Sequence, residues 1–243
     1  MLKIGLSGII VPGKKEDYPL EYQSASRLLY YNSFFNTIEI NSTFYKLPKS
    51  STLLNWNGQV GSDFDFTLKF TGDVTHSKKL KFDPERITQF MLIAAALDKS
   101  GCILIQFPPS ITSDYSENVE EILSQIQTIN TNSKWKIAVE FRNSSWYHDL
   151  TWEMLNTYNS ALVYHDLAKS KPPILNLDSN FIYLRYHGPT GNYRDSYSNQ
   201  FLENQAAHIQ NWLQEGKKVY AYFNNTMGAA FENARFLKNL MEE

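Results

Sequence analysis

The sequence predicts an α/β fold: a single TIM-barrel-like (β/α)8 domain spanning residues 1–243, with eight parallel strands closed into a barrel. Three observations carry this. Eight strand-like runs recur along the chain, helix-like segments lie between most of them, and no linker, charge block or composition shift divides the 243 residues. Eight is the number of strands that closes such a barrel. A doubly wound open sheet is the runner-up. No Gly-x-Gly-x-x-Gly follows any strand, so a dinucleotide site has no support.

The strand-like runs fall at 2–7, 37–43, 64–69, 102–107, 136–141, 161–165, 181–187 and 218–223. The chain enters the first directly, through Met1-Leu2-Lys3-Ile4-Gly5-Leu6-Ser7, without the apolar core and cleavage site of a signal peptide. Helices are expected over 21–32 and 50–58. Another follows Asp83-Pro84, where Asp caps and Pro starts a helix whose Ile87, Phe90, Met91 and Ala94 share one face. Further helices are expected over 117–127, 150–158 and 199–215. In the last segment Ala230, Ala234, Leu237 and Met241 recur at helical spacing.

Composition bounds the function. A chain this long buries roughly seven-tenths of its unfolded surface and needs no staple. Lys+Arg is 23 and Asp+Glu 25, a formal net charge of -2, which excludes a strongly basic nucleic-acid arm but not a local basic face. Cys102 is the one cysteine, which excludes an intrachain disulfide and fits a reducing compartment. The apolar run from Phe90 to Leu97 is far shorter than the ~20 residues a membrane span needs. A cytoplasmic protein with no membrane association is the expectation.

Strand parity then nominates a site. Outward positions pack on helices and must be apolar; inward positions can be polar near the C-terminal strand ends. Putting Ile38 and Ile40 outward turns Thr37, Glu39 and Asn41 inward. The same rule turns inward Asp65, Thr67 and Lys69; Cys102, Leu104 and Gln106; and Ala138, Glu140 and Arg142. It also turns inward Tyr183, Arg185 and His187, then Tyr220, Tyr222 and Asn224. Strand six is ambiguous, so His165 and Asp166 stay unassigned. Buried charges on this scale need partners or a ligand. Two readings stand: an internal salt-bridge lattice that plugs the barrel, or a pocket at the C-terminal rim.

Several motifs together resemble those of the YecE-like domain-of-unknown-function family, DUF72. They are Phe35-Asn36-Thr37-Ile38-Glu39-Ile40-Asn41-Ser42-Thr43-Phe44-Tyr45, Thr75-His76, Gln106-Phe107-Pro108-Pro109 and Val139-Glu140-Phe141-Arg142 with Ser145-Trp146. Arg185-Tyr186-His187-Gly188 and Tyr222-Phe223-Asn224-Asn225 complete the set, in the family's order and across essentially the whole chain. The resemblance implies a TIM-barrel-like fold and no settled activity. One departure is Ile9, which follows Ser7-Gly8 where the family usually has Trp; if that Trp stacks on a ligand, this chain lacks one wall of the site.

The rim has a surplus of cations. Lys69, Arg142 and Arg185 stand with Glu39 and Glu140, and the loop after strand three adds His76, Lys78, Lys79 and Lys81. A basic cleft concentrates anions, and Arg grips phosphate or carboxylate with paired hydrogen bonds. The Gly-rich loop 187–191 and the segment 224–228 before the last helix could offer backbone N–H groups to a phosphate.

The leading reading is therefore a phosphate-containing ligand, a phosphodiester or nucleic-acid fragment, that is bound and, if the protein is an enzyme, hydrolysed. Glu39 or Glu140 would be the base, and His187 or His76 the acid. Asn41, Lys69, His76, Gln106, Arg142, Trp146, Arg185, Asn224 and Asn225 would bind substrate. One alternative is a non-catalytic module for an anionic small molecule or nucleic acid. The other is a glycosidase-like hydrolase using Glu39 and Glu140, with Phe44, Tyr45, Trp146, Tyr147 and Tyr193 as sugar-stacking aromatics. His76, His165, Asp166, His187, Glu39 and Glu140 are metal-ligand types. They lack tight ligand spacing, so a divalent metal is not favoured and the cofactor stays unassigned.

Overall fold

The structure, a computed structural model, describes residues 1–174 and 179–242. Its centre is a closed barrel of eight parallel strands taken in sequential order. The strands are β1 (Leu2–Leu6), β2 (Thr37–Ile40), β3 (Asp65–Lys69), β4 (Ser100–Phe107), β5 (Lys136–Phe141), β6 (Ser160–His165), β7 (Phe181–Tyr186) and β8 (Lys218–Phe223). Closure is direct: β1 pairs with β8 from Leu2↔Val219 to Leu6↔Phe223, and with β2 at Leu6↔Ile38.

Helices lie between the strands: α1 (Leu20–Gln23), α2 (Arg27–Asn32), α3 (Ser50–Gln59), α4 (Gly72–Thr75), α5 (Glu85–Ala94), α6 (Ser116–Ile129), α7 (Asp149–Thr157), α8 (Asn199–Gln214) and α9 (Ala230–Glu242). Among the described residues no helix is long and apolar enough to cross a membrane. Two expected elements differ. The helix expected over 21–32 splits in two, because the Ser26 hydroxyl accepts from Leu29 N–H (3.1 Å) and starts a new helix. The strand expected over 37–43 stops at Ile40, because Asn41 turns to helical angles and a 3₁₀ turn, Ser42–Phe44, follows.

That turn is what builds one side of the site. The Thr43 hydroxyl reaches the carbonyls of Ile40 (2.9 Å) and Lys69 (2.7 Å), tying it to the end of β3. Phe44 is thereby laid under the Lys69 ammonium, 4.2 Å from its ring centroid.

The strands bury both faces. Outward residues such as Ile38, Leu68, Ile105, Val139, Leu184 and Val219 join Ile87, Phe90, Ile122, Leu202 and Leu237 of the helices in one core. Each such side chain contributes about 1.5–3 kcal/mol. Inward, Cys102, Leu104, Ala138, Ala161, Val163, Phe181, Tyr183, Tyr220 and Tyr222 form a second cluster. Ala161 and Val163 are in it and Leu162 and Tyr164 are not, which resolves β6 and turns His165 inward.

Polar rungs cross the interior. At the N-terminal end Lys3 Nζ meets Asp63 (3.0 Å) and Asp65 (3.7 Å), and Tyr220 OH donates to Asp65 (2.8 Å). One layer up, the Thr37 hydroxyl donates to the Asp65 carbonyl, so it accepts from Tyr222 OH (2.7 Å); that oxygen in turn accepts from Thr67 (2.7 Å). Gly5 has no side chain for a steric reason: a Cβ there would lie 2.3 Å from the Thr37 carbonyl oxygen.

Candidate functional site

The upper interior is organised around one guanidinium. Arg185, on β7, is 2% exposed. Its Nε and Nη2 donate to Glu39 of β2 at 2.9–3.1 Å, and its Nη1 donates to Glu140 of β5 at 3.1 Å. Tyr183 OH gives Glu39 a further bond of 2.6 Å. Arg142, just beyond β5, closes Glu140 from above through Nε (2.7 Å). Burial by itself raises both glutamates. The Arg185 charge and hydrogen bonds outweigh it for Glu39, and the Arg185 and Arg142 charges do so for Glu140, so both stay ionised.

The hydrogen bonds fix the histidine tautomers. A guanidinium only donates, so His187 Nε2, 2.8 Å from Arg185 Nη1, must accept. The His187 proton then sits on Nδ1 and faces Asp166 Oδ1 at 3.2 Å. Asp166 also accepts from His187 N–H (2.8 Å) and from Tyr197 OH. His165 Nε2 donates to the Phe141 carbonyl (3.0 Å) and its Nδ1 accepts from Leu167 N–H (3.3 Å). Burial lowers the pKa of both rings, and both are neutral.

Lys69 and His76 are placed differently. Lys69 ends β3, half-buried. Among the described residues its ammonium has no ion pair and no hydrogen bond, and it lies over the Phe44 ring. Burial first, then the nearby Arg185 charge, lowers its pKa to about 8. His76 follows α4 and packs edge-on against the same ring, centroids 4.8 Å apart. The Thr75 hydroxyl donates to the Thr71 carbonyl, so it accepts from His76 Nδ1–H (2.9 Å), which leaves Nε2 without a proton. Burial, with Lys69 and Arg142 nearby, lowers His76 to about 4. Gln106 Nε2 lies 3.5 Å from that free nitrogen.

The remaining nominated residues separate into two groups. Asn41, half-buried, keeps a buried Oδ1 without a partner beside this cluster, and Asn224 ends β8 at the rim with 7% exposure. Arg142 is partly open, its Nη1 held by Tyr193 OH at 2.9 Å. Trp146 does not face the rim: it is fully buried, stacked on Phe141 at 4.2 Å, with Nε1 donating to the Ile111 carbonyl. Asn225 is also buried, and its Nδ2 is used by the Asp195 carbonyl and Asn233. Ile9 packs against the outer core.

Several of the expected chemistries change on this geometry. Glu39, Glu140 and His187 have no exposed surface. Two ionised glutamates leave a glycosidase without its acid. His187 Nε2 accepts from arginine and cannot give a proton. The loops after β7 and β8 bind each other: Met227 N–H donates to the Tyr193 carbonyl (2.9 Å), and Ala229 N–H to that of Asp195 (3.2 Å). Those two backbone donors are spent inside the protein. No group of three or more metal-ligand side chains placed to hold an ion occurs among the described residues.

Three residues act on the histidines: Asp166, which the sequence offered only as a metal-ligand type, Thr75, which it offered only within the Thr75-His76 motif, and Tyr197, which it missed. Asp166 lies past the strand whose parity was ambiguous, and no local pattern marks Tyr197. A cavity of about 900 Å3 lies at the opposite, N-terminal barrel end, lined in part by Trp135, Lys136, Phe181 and Lys218. It holds none of the converging rim groups, and that end of such barrels serves stability.

Comparison with known proteins agrees with the geometry. The family described as "Protein of unknown function DUF72" matches residues 3–243. The chain is 26% identical to the UPF0759 protein YunF of Bacillus subtilis, over all of this chain and 95% of that one. It is 36% identical over 79 residues to the UPF0759 protein YecE of Escherichia coli K12, 32% of this chain and 29% of that one. A DUF72 family protein from Enterococcus faecalis superposes with a TM-score of 0.81 at 22% identity, covering 100% of this chain and 96% of the other. One from Thermotoga maritima gives 0.76 at 25%, with both chains fully covered. A xylose isomerase domain protein from Alicyclobacillus acidocaldarius shares the fold alone, at 0.51 and 8% identity over 100% of this chain and 99% of that one.

Proposed function

The chain belongs to the DUF72 family, and from that premise we propose that its C-terminal barrel rim binds a small phosphate-containing ligand through Lys69 and Arg142. One observation carries the reading. Lys69 is a half-buried cation with no carboxylate partner among the described residues, beside two further cations whose own charges are matched by Glu39 and Glu140. A fixed cation facing a rim without a counter-ion attracts an anion. The buried lattice does not compete for that ligand; it holds the strand ends rigid beneath it. Gln106 and Asn224 supply side-chain amide N–H groups around the anion. His76, whose Nε2 is an open base, replaces the buried glutamates as the group able to assist hydrolysis of a phosphodiester.

The test is thermal melting against inorganic phosphate, sugar phosphates, nucleotides, short oligonucleotides and neutral sugars. A ligand at a hundred times its Kd stabilises by about 2.7 kcal/mol, or roughly 5–10 °C for a chain this size. Phosphate compounds should raise Tm and neutral sugars should not, and Lys69→Met should remove the shift. A shift that survives Lys69→Met, or equal shifts from neutral sugars, would overturn the reading.

A second reading, a nucleic-acid module, has one observation in its favour. Tyr45 is 83% exposed beside Phe44, with Lys46 and Lys49 following it. An exposed ring among cations suits a stacked base on a phosphate chain. A larger shift from oligonucleotides than from mononucleotides would support it.

A further inference from the structure

We propose that Lys69 is a nucleophile that forms an imine with a small phosphorylated aldehyde or ketone bound at this rim. The proposal rests on the anion reading above and gives that ligand a second functional group. An imine-forming amine needs a free lone pair, an open approach, a base close by and a grip on the rest of the substrate.

Lys69 meets these needs through its position in the fold. It is the last residue of β3, at the end of the barrel where the loops meet. Its Nζ lies over Phe44 at 4.2 Å and makes no ion pair or hydrogen bond among the described residues, so nothing ties up the nitrogen. The charged groups facing it are Glu39 from β2, Glu140 and Arg142 from β5 and its end, and Arg185 from β7. The glutamates are bound by the arginines, and their charges only partly offset the lowering of the Lys69 pKa by burial and Arg185. Burial and the fixed arginine charges bring its pKa to about 8, so an appreciable share of the amine is neutral near neutral pH.

His76 supplies the base. It shares the Phe44 ring with Lys69, and Thr75 holds its proton on Nδ1, which leaves Nε2 unprotonated with Gln106 Nε2 3.5 Å away. Arg142 bonds Glu140 through Nε, Tyr193 through Nη1 and His187 Nε2 through Nη2 (3.4 Å), and the second N–H of each Nη is left to meet a phosphate. In the reaction, Lys69 Nζ attacks the carbonyl carbon; the C–N bond forms and the carbonyl π pair moves to oxygen. One proton passes from nitrogen to that oxygen by way of His76 Nε2, and a second is delivered to the hydroxyl as it leaves and is recovered from the iminium nitrogen afterwards. The C–O bond then breaks, water departs, and the nitrogen lone pair completes C=N. Amine plus carbonyl gives imine plus water, with no oxidant or reductant.

The experiment is reductive trapping. The protein is incubated with glyceraldehyde 3-phosphate and borohydride, and the adduct is located by intact mass and peptide mapping. In parallel, the wild type is melted with inorganic phosphate. The expected result is one dominant adduct, on Lys69, formed at least about tenfold faster than with unphosphorylated glyceraldehyde. Lys69→Arg, shown to be folded by its melt, should give no such adduct, and His76→Gln should slow trapping by roughly 100-fold. Adducts scattered over surface lysines, or equal rates with both aldehydes, would overturn the proposal. A phosphate-induced rise in Tm without a Lys69 adduct would sink the imine alone and leave the anion reading intact. The absence of both would remove the two together.

Discussion

Taking away the Arg185 guanidinium would leave Glu39 and Glu140 buried with their principal counter-charge gone. Breaking a buried pair from one side costs about 3–5 kcal/mol, so Arg185→Met should lower unfolding free energy in urea by that order. A loss under 1 kcal/mol would mean the lattice is not the structural element described. Lys69 gives the opposite kind of prediction. Its ammonium is present below about pH 8 and lost above it, while Arg142 and Arg185 stay charged. Sulfate keeps its charge over this range. Its affinity should therefore fall about tenfold between pH 7 and 9.5, since a hydrogen bond to a charged group contributes about 1.5–3 kcal/mol. Titration calorimetry checks this, and a flat profile would take Lys69 out of the anion site. At this scale strand parity names the polar interior, from Glu39 to Asn224. It cannot tell which of those charges satisfy one another, because Glu39 and Arg185 are 146 residues apart.

The elements show where backbone geometry constrains the barrel. β1 pairs with β2 at a single register position, and Gly5 lies against the Thr37 carbonyl at that seam. Gly5→Ala forces a Cβ into a space 2.3 Å from backbone oxygen, so one strand must move. Overpacking of this kind costs about 1–3 kcal/mol, readable as a drop in Tm of several degrees. A variant as stable as wild type would show that the seam yields. Gly188 constrains the rim instead. It has φ of +97°, and a Cβ there would lie 2.3 Å from the Arg194 carbonyl oxygen. Gly188→Ala should therefore disturb the loop that carries Tyr193 and weaken phosphate binding measured by calorimetry. The strands and most helices are legible in the sequence because apolar periodicity is local. The break between α1 and α2 rests on one serine cap, and the end of β2 on Thr43 reaching a neighbouring strand, which periodicity does not register.

The whole molecule should weaken in acid before its carboxylates titrate. His165 and His187 are buried and neutral with lowered pKa values, while in the unfolded chain they protonate near pH 6.5. The unfolded state therefore binds more protons below pH 6.5, and stability falls as pH drops from there. Glu39 and Glu140, also lowered, extend the loss below the ordinary carboxylate value of about 4.3. Urea midpoints should be flat from pH 7 to 8 and decline from about 6.5 downward. A midpoint unchanged at pH 5 would contradict the neutral buried imidazoles. The sequence by itself determined the barrel: the count of strands, the helices between them and the inward face of six strands, all set by the spacing of apolar side chains along short segments. Only the tertiary structure decided which inward groups remain open. It spent Arg185, both glutamates and His187 on one another, tied His165 to backbone groups, sealed Trp146 into the core and joined the last two loops. Lys69 and His76 were left facing the rim. Those outcomes depend on distances between strands remote in sequence, where Coulomb energy and hydrogen-bond geometry choose the partners.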